Sequence, residues 1–456
     1  MTDCEKYLRE NRQRLQQEFL GFLGIPSISA LPQNQGDVRR AAEWLVRRLE
    51  AAGVAGARLL DTRAQPVIYA EWLQAPCKPT ALIYGHYDVQ PADPLDLWTT
   101  PPFQPTIRAG RIYARGASDM KSGIVQAVDA VEALLRTTGR LPINVKFFFE
   151  GQEEMGSPQA PAFVAANKEL LACDLILNAD SSQWGENEPA LLVGLRGICA
   201  MECTVVSANT DMHSGLYGGA VPNANHILSE LVASLHRPDG SVAVAGFYDD
   251  VAPLSRQERE RIAAVPFDEE EFRRDLGLAE AVGEPGYSTL EREWARPTLD
   301  VSGLWGGFIG EGIKTVIPKE AHAKLSCRLV PNQDPAKILD LLDAHLAAHV
   351  SRGAKVTTRH EEGMVQAYLV PVDHPGTRAA RDVLLEMYGK EPYYIRMGGS
   401  VPILDIFLRE LGAYAIPFGF SLPDERVHAP DEFYRVASFE RGQLAFCKIL
   451  VRLGAG

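Results

Sequence analysis

The segment VKFFFEGQEEMGS, residues 145–157, combines the pattern of a buried strand with a charged loop that follows it. Its apolar beginning is typical of a short buried strand, and two glycines interrupt the pattern afterwards. Glu153 and Glu154 therefore lie just beyond a strand end, where α/β proteins bind their ligands. Because neighbouring side chains of an extended chain point to opposite sides, one glutamate can bind a metal ion while the other faces solvent. A metal-assisted hydrolase requires this division of roles.

Predicted strands and helices alternate on both sides of this segment. The predicted strands are 66–72, 80–87, 144–149 and 174–179, and the predicted helices are 37–52, 119–137 and 158–171. The alternation resumes after residue 370, with helices 375–389, 403–411 and 437–453 and strand 413–418. Such alternation predicts a mostly parallel central sheet covered by helices. We therefore expect an α/β catalytic domain formed by residues 1–190 and 370–456.

The pattern between these two parts is different and predicts an inserted domain over residues 191–369. Its predicted elements are strand 194–207, helix 222–236, strands 298–305 and 319–330, helix 335–350 and strand 354–362. The order β-α-β-β-α-β is that of a ferredoxin-like α+β domain. A charged insertion near 246–297, containing DEEEFRRD and LEREW, is predicted to be helical and exposed, and its role is not evident.

Composition excludes several classes of protein. The chain has 456 residues, which favours two domains over one. Its formal net charge is −13, and no basic patch is evident, so a nucleic-acid partner is not expected. No apolar run is long enough for a transmembrane helix, and the amphipathic N-terminus lacks the apolar core of a signal peptide. The seven cysteines are dispersed without a C-x-x-C pair, which predicts reduced thiols in a cytoplasmic protein.

Metal-binding side chains occur in five separate segments, most of them just after a predicted strand. They are His86 and Asp88 in GHYDVQP, Asp119 in RGASDMKSG, Glu153 and Glu154 in EGQEEMGS, Asp180 at a strand end, and His428 in RVHAPDE. Histidine and carboxylate ligands suit zinc, cobalt or manganese better than calcium. Several carboxylates around two histidines suggest a site for two metal ions, with one carboxylate bridging them.

Each of these residues, taken alone, also has an ordinary structural role. Asp119 in particular is placed where it could cap the following helix. Competing catalytic motifs do not fit, because the sequence lacks the spacing of a P-loop and contains no G-x-S-x-G elbow. The pair His345 and His349 lacks the glutamate of H-E-x-x-H and is better explained as part of a surface helix.

The order of these motifs resembles that of the M20 metallopeptidases, and within them the carnosinase-like dipeptidases. The matching segments are GHYDVQP, RGASDMKSG, EGQEEMGS, NADS and VHAPDE, and TDMHSGLYGG, KTVIP, CRLVPN and GGSVP are typical of the dipeptidase branch. The resemblance covers nearly the whole chain. It implies a zinc-peptidase-type catalytic domain and an inserted domain that acts as a lid and in dimerisation.

The resemblance also implies a role for each metal-binding residue. His86 and Asp180 would bind one ion. Glu154 and His428 would bind the other, and Asp119 would bridge the two. The implied cofactors are two divalent metal ions, zinc in the first place, with manganese or cobalt as alternatives.

Three further residues take catalytic roles by the same resemblance. Asp88 would orient the imidazole of His86 through a hydrogen bond. Glu153 would be the general base. His213 would stabilise the oxyanion from the other subunit of a homodimer, although the sequence around it, without the resemblance, indicates a structural histidine.

The residues implied to hold the substrate are Thr315, Arg328, Gly399 and Ser400. Arg328 could bind a terminal carboxylate through two hydrogen bonds, or it could be an ordinary solvated arginine of a strand. The family often has a glutamate where this chain has Met397, a difference that affects the expected substrate side chains and not the reaction.

The sequence therefore predicts a cytoplasmic, dimeric, dinuclear metallopeptidase that hydrolyses dipeptides or other small peptides. Within the same family, an N-acyl amino acid deacylase or a carboxypeptidase is the alternative. A catalytically inactive relative would be expected to lack a ligand or the base, and all of them are present. A purely structural oligomer would leave the acidic constellation without a reason.

Overall fold

The computed structural model describes residues 2–455, which form two compact units. The first unit contains the chain up to Val193, the segment Val370–Ile395 and the chain from Pro402 onwards. The second contains Gly194–Leu369 together with the short segment Arg396–Val401. The catalytic and lid roles expected for the two parts of the sequence stay predictions.

The α-helices of the described chain begin and end as follows. They are α1 (Asp3–Glu10), α2 (Arg12–Leu23), α3 (Gln35–Ala52), α4 (Lys121–Thr138), α5 (Ala160–Ala166), α6 (Lys168–Leu171), α7 (Ser214–Tyr217), α8 (Ala224–Ser234), α9 (Arg256–Ala263), α10 (Glu269–Leu276), α11 (Thr289–Ala295), α12 (Pro335–His349), α13 (Pro375–Tyr388), α14 (Pro402–Leu411) and α15 (Val436–Ala455). Short 3-10 helices cover Pro32–Asn34, Leu95–Leu97 and Glu153–Met155.

The strands have the following bounds. They are β1 (Arg58–Leu60), β2 (Val67–Trp72), β3 (Thr80–His86), β4 (Thr106–Arg108), β5 (Arg111–Tyr113), β6 (Asn144–Glu150), β7 (Leu175–Asn178), β8 (Ala190–Leu195), β9 (Gly197–Val206), β10 (Met212–His213), β11 (Thr298–Gly306), β12 (Val316–Ile317), β13 (Glu320–Leu329), β14 (Lys355–His360), β15 (Tyr368–Leu369), β16 (Tyr393–Met397), β17 (Ala415–Pro417) and β18 (Phe433–Arg435).

The first unit is built on a six-stranded sheet in the order β1-β2-β6-β3-β7-β17. The pairings β6-β3, β3-β7 and β7-β17 are parallel. At the other end of the sheet, β2 pairs with β6 and the edge strand β1 pairs with β2, both antiparallel. The expectation of a mostly parallel central sheet is therefore confirmed. Three buried phenylalanines of β6, Phe147 to Phe149, belong to the core, since both faces of this central strand are covered.

The long helix α4 is buried along most of its length, from Lys121 to Leu134. It packs against α15, α1 and β3, so it lies inside the first unit and not on its surface. The sequence predicts this helix from residue 119, but the structure starts it at Lys121, with Met120 at the N-cap position. Asp119 therefore lies before the helix and does not cap it.

The second unit contains a four-stranded antiparallel sheet in the order β11-β13-β9-β14. Alternate residues of β9 and β13 are buried, and the helices α8 and α12 cover that face. Strand order and helix placement are those of the predicted ferredoxin-like arrangement. The predicted strand 194–207 is interrupted at Arg196, which separates β8 from β9.

The charged insertion near 246–297 forms three helices, α9, α10 and α11. Serine residues start two of them through capping boxes, Ser255 with Glu258 and Ser288 with Glu291. The last of the three is largely buried, so the insertion is only partly exposed. Within residues 2–455, no helix combines the length and the apolar character that a membrane crossing would require.

The first turn of α4 lies directly against the end of β7 because Gly123 has no side chain. A Cβ atom at position 123 would come within 2.5 Å of the backbone oxygen of Ala179. Ala179 precedes Asp180, and Asp119 precedes α4. This close contact therefore brings together two of the candidate ligands.

We expect Gly123→Ala to destabilise the first unit, because its Cβ would displace backbone atoms, at a cost of about 1–3 kcal/mol. Gly21→Ala is the matched control, since Gly21 lies inside helix α2 and a Cβ atom there would meet no other element within 4 Å. It should stabilise the protein by about 0.5–1 kcal/mol through helix propensity. Thermal unfolding monitored by circular dichroism measures both. Equal melting temperatures for the two variants would contradict the prediction.

Candidate metal centre

The candidate site lies at the carboxyl ends of three neighbouring strands of the first unit. His86 is the last residue of β3 and pairs in register with Glu150, the last residue of β6. On the other side of β3, Asn178 ends β7. Because parallel strands end at one edge of the sheet, the loops that follow them converge there.

One group of candidate ligands consists of His86, Asp119 and Asp180. The Nε2 atom of His86 lies 3.1 Å from an oxygen of Asp119 and 3.9 Å from an oxygen of Asp180. Asn178 fixes the start of the Asp180 loop, since its side-chain oxygen accepts a hydrogen bond from the Asp180 backbone N–H at 3.0 Å.

A second group consists of Asp119, Glu154 and His428. The Nε2 atom of His428 lies 2.9 Å from the second oxygen of Asp119 and 3.2 Å from Glu154. The Asp119 carboxylate thus belongs to both groups, with one oxygen facing each histidine. This arrangement is the one expected of a carboxylate that bridges two metal ions.

The adjacent glutamates differ in their surroundings. Glu154 belongs to the second ligand group, and the side chain of Gln90 donates a hydrogen bond to it at 2.9 Å. Glu153 belongs to neither group and approaches His86 only to 3.9 Å. The two carboxylates therefore have separate positions, as the alternation of side chains along the chain suggests.

Asp88 holds two parts of the site at once. The Nδ1 atom of His86 lies 3.1 Å from the backbone oxygen of Asp88 and 3.4 Å from its carboxylate. The same carboxylate accepts the backbone N–H groups of Glu153 and Glu154, each at 3.2 Å. A proton on Nδ1 leaves the lone pair of Nε2 free to bind a metal ion.

The two histidines and Asp119 shift one another's pKa values strongly. Burial alone would lower the pKa of His86, but hydrogen bonds to Asp119 and Asp88 raise it well above its ordinary value. Hydrogen bonds to Asp119 and Glu154 raise the pKa of His428 to about 10. Burial would raise the pKa of Asp119, but its hydrogen bonds to the two histidines hold it well below the usual range.

Asp180 and Glu153 carry raised pKa values because they are shielded from solvent next to other negative charges. Burial, with Asp119 nearby, raises the pKa of Asp180 to about 7. Burial raises the pKa of Glu153 to about 8; the proximity of His86 partly offsets this, and nearby carboxylates add to it. Groups with such perturbed titration cluster at functional sites.

These residues fit two divalent cations. Atoms bound to one ion at about 2.0–2.2 Å lie roughly 3–4 Å from one another, and the atoms of each group lie within 4.8 Å of one another. One oxygen of Glu154 is buried and has no hydrogen-bond partner, as expected of an atom that binds a metal ion. Several half-buried carboxylates so close together also require positive charge to balance them.

A third acidic group, formed by Glu18, Asp129 and Glu132, is different in kind. The guanidinium of Arg48 lies between them, at 2.9, 2.6 and 2.5 Å from their respective oxygens. A cation of the chain itself occupies this group, so we interpret it as a buried ion-pair network.

The loop that carries His428 has an unusual backbone. Arg426, His428 and Asp431 all have positive φ angles, of 57°, 61° and 59°. Residues other than glycine rarely adopt this conformation, and it persists where surrounding contacts enforce it. Thr99 provides one such contact, since its backbone N–H donates a hydrogen bond to the Asp431 side chain at 2.8 Å.

His213 and Thr315 are brought together in the second unit. The short strands β10 and β12 pair His213 with Val316, the neighbour of Thr315. The Nδ1 atom of His213 accepts the backbone N–H of Gly215 at 3.0 Å. In the neutral ring the proton is then on Nε2, so this exposed histidine can donate a hydrogen bond to another group.

Arg328 and Ser400 form a second pair within this unit. The guanidinium of Arg328 donates to the Ser400 hydroxyl at 3.2 Å, and that hydroxyl donates to the backbone oxygen of Arg196 at 2.6 Å. Gly399 precedes Ser400 in the same short segment. Neither Arg328 nor Arg196 forms an ion pair with an acidic residue in the part of the chain that the structure describes.

Sequence reasoning missed several residues that support the site. Gln90 contacts Glu154, Asn178 contacts Asp180, and Glu432 accepts the backbone N–H of Asp119 at 3.1 Å. All three occur inside the motifs already noted, GHYDVQP, NADS and VHAPDE. Their position in those motifs was the available signal. The partners of Gln90 and Glu432 are distant in sequence, whereas Asn178 and Asp180 are only two residues apart.

The sequence profile of peptidase family M20/M25/M40 matches residues 82–452. The Beta-Ala-His dipeptidase of Rattus norvegicus is 31% identical over 395 residues, covering 85% of this chain and 80% of the relative. A Cys-Gly metallodipeptidase of Schizosaccharomyces pombe is 28% identical over 449 residues, covering 95% of this chain and 94% of the relative.

Solved structures show the same similarity. An M20 family metallo-carboxypeptidase from Sulfolobus solfataricus superposes with a TM-score of 0.83 at 32% identity, covering 97% of this chain and 99% of that one. Human carnosine dipeptidase 1 gives a TM-score of 0.77 at 28% identity, covering 99% of this chain and 98% of that one. The profile match extends over most of the sequence, and this chain belongs to peptidase family M20/M25/M40.

Proposed function

We propose that this protein is a dinuclear metal-dependent dipeptidase that hydrolyses the peptide bond of dipeptides or short peptides. The observation that carries the proposal is the Asp119 carboxylate, which lies between His86 and His428 at 3.1 and 2.9 Å. The names of the two relatives support a dipeptide substrate, since both are dipeptidases. An inactive relative is a poorer explanation, because every residue required for the chemistry is present.

The proposed metal ions would be held by five side chains. His86, Asp119 and Asp180 would bind one ion, and Asp119, Glu154 and His428 would bind the other. Divalent cations in such a shell supply Lewis acidity, which polarises a peptide carbonyl and makes a water molecule more acidic. Zinc is the metal we propose, with manganese and cobalt as alternatives that accept the same ligands.

Glu153 is the proposed general base. It would take a proton from the attacking water and deliver it to the nitrogen of the leaving amine. Its carboxylate belongs to neither ligand group but approaches His86 to 3.9 Å, so it would be free to exchange a proton with a water molecule at the site. Asp88 would keep this carboxylate in place by accepting the backbone N–H of Glu153 at 3.2 Å.

Arg328 and Ser400 are proposed to bind the terminal carboxylate of the substrate, and Thr315 and Gly399 to complete the substrate site. Their support is the hydrogen bond between Arg328 and Ser400, which directs a guanidinium without an acidic partner towards the loop of Gly399. An arginine whose guanidinium has no acidic partner can bind a substrate carboxylate through two hydrogen bonds.

The proposed partner is a second copy of the chain, bound through the second unit. Large apolar side chains are exposed there, including Leu216 at 76%, Ile309 at 85% and Ile313 at 95%. Together they would form the apolar patch that such an interface needs. In this homodimer, His213 would donate its hydrogen bond to the oxyanion in the partner's active site. A cytoplasmic location is proposed from the seven free cysteines.

Dipeptides with free termini should be the best substrates of the purified protein when zinc, manganese or cobalt is supplied. C-terminally amidated dipeptides should react poorly, because they lack the carboxylate proposed to bind Arg328. Removal of metal with a chelator should abolish turnover, and added metal should restore it. Product release followed by mass spectrometry measures this panel.

The same panel includes N-acyl amino acids and longer peptides. Turnover of N-acyl amino acids alone would replace the proposal with a deacylase. Release of C-terminal residues from long peptides in preference to dipeptides would favour a carboxypeptidase, the activity named for the Sulfolobus solfataricus relative.

Glu153→Gln should bind two metal ions but lower kcat by about 10²–10⁴-fold, since it removes the proton acceptor. Glu154→Gln should instead lose metal, because it removes a ligand. Metal analysis together with steady-state kinetics distinguishes the two, and Glu169→Gln, an exposed helical substitution, serves as the control. If Glu153→Gln lost metal while Glu154→Gln retained it, the two roles would be reversed.

A mixture of His213→Ala and Glu153→Ala subunits should recover activity that neither variant has alone. In their heterodimer, the site with an intact Glu153 receives an intact His213 from the partner. A random mixture should therefore reach about a quarter of the wild-type rate, because half of the dimers contain one complete site. A double variant mixed with His213→Ala is the control and should stay inactive. Absence of any recovery in the first mixture, with subunit exchange shown by mass spectrometry, would contradict the action of His213 in trans.

A further inference from the structure

Glu432 is a fully buried carboxylate in the motif VHAPDE, four residues after His428. One of its oxygens accepts the backbone N–H groups of Ser118 and Asp119, at 2.9 and 3.1 Å. Glu432 therefore belongs to the loop of His428 and accepts a hydrogen bond from the backbone of Asp119.

The second oxygen of Glu432 is equally well bonded. It accepts the backbone N–H of Gly116 at 3.0 Å and the guanidinium of Arg115 at 2.6 Å. The backbone oxygen of Glu432 also accepts the N–H of Ala114 at 3.1 Å. Four residues between 115 and 119 thus donate to this one side chain, and hydrogen bonds to a charged acceptor are stronger than those between neutral groups.

A neutral side chain could not make these contacts. All the groups that point at the two oxygens are donors, so an amide NH₂ at this position would face other N–H groups. The negative charge is balanced by Arg115, which is itself buried. A simple core role would need only a side chain of suitable volume, whereas this arrangement requires an acceptor at both oxygens.

We infer that Glu432 is a positioning residue that joins the segment of Asp119 to the loop of His428, and so sets the spacing of the ligands in the second group. The inference rests on the proposed metal site. Asp119 and His428 are in contact although more than 300 residues separate them in the sequence. The pairing of β5 with β18 and the hydrogen bond from the Ser118 hydroxyl to Glu425 also connect the two segments. The Glu432 side chain, however, accepts the backbone N–H of Asp119 itself and so fixes the position of this ligand relative to His428.

Metal binding by the full-length, chelator-stripped protein tests this inference without relying on turnover. Glu432→Gln should bind zinc and cobalt about 10–100-fold more weakly than the wild type, the usual effect of removing a group that orients ligands. The ion held by His428 should be affected more than the other. Titration against a competing chelator gives the affinities, and the visible spectrum of bound cobalt reports the coordination geometry.

Asp129→Asn is the matched control for loss of a buried charge. Asp129 is also fully buried and also accepts an arginine, Arg48, at 2.6 Å, but it contacts none of the candidate ligands. It should leave both metal affinities and the cobalt spectrum unchanged. Equal weakening of metal binding by the two variants would overturn the inference, as would wild-type affinities in Glu432→Gln.

Hydrogen exchange of the wild-type protein tests the same contact without any substitution. The amides of Gly116, Ser118 and Asp119 should be protected in the metal-free protein, because Glu432 and not a metal ion accepts them. Exchange at the rate of exposed amides would overturn the inference even if Glu432→Gln failed to fold. If the wild type bound no metal while these amides were protected, the proposed function would fail separately from the contact.

Discussion

The Asp119 carboxylate between two imidazoles is the contact on which the site depends. Its oxygens face His86 and His428 at 3.1 and 2.9 Å, and these residues come from three distant parts of the chain. A half-buried carboxylate with other carboxylates around it is stabilised by positive charge nearby. The parallel sheet supplies the necessary convergence, since the strands that precede His86 and Asp180 end at the same edge.

Buried charge elsewhere in the first unit is compensated within the chain itself. Arg48 forms ion pairs with Asp129 and Glu132, and Arg115 forms one with Glu432. The candidate metal site differs, because no arginine or lysine of the described chain pairs with its three carboxylates, and one oxygen of Glu154 has no hydrogen-bond partner. This contrast, within one unit, distinguishes a structural ion-pair network from a site suited to cations.

Much of the fold could be predicted because local patterns determine it. The apolar run of β6, the 3.6-residue periodicity of α4 and the alternation in β9 and β13 each mark an element within two or three residues of its observed bounds. The ligand residues could be proposed because each follows a strand or lies in a recognisable motif. The contacts of Glu432 and the second function of Asp88 could not, since they join backbone N–H groups to side chains far away in sequence, and no local pattern encodes such a pairing.

The segment Arg396–Val401 shows a second limit of sequence reasoning. The chain on both sides of it belongs to the first unit, yet these residues group with the second. The physical reason is Arg196, whose backbone N–H donates to Met397 at 3.2 Å and whose guanidinium donates to Gly398 at 3.3 Å. Space at Gly398 is limited as well, since a Cβ there would lie 2.7 Å from the end of the Arg196 side chain and 3.2 Å from the backbone oxygen of Glu293. The loop of Ser400 is therefore attached to the same unit as Arg328, so the groups proposed to bind the substrate carboxylate belong to one unit and the ligands proposed to bind metal belong to the other.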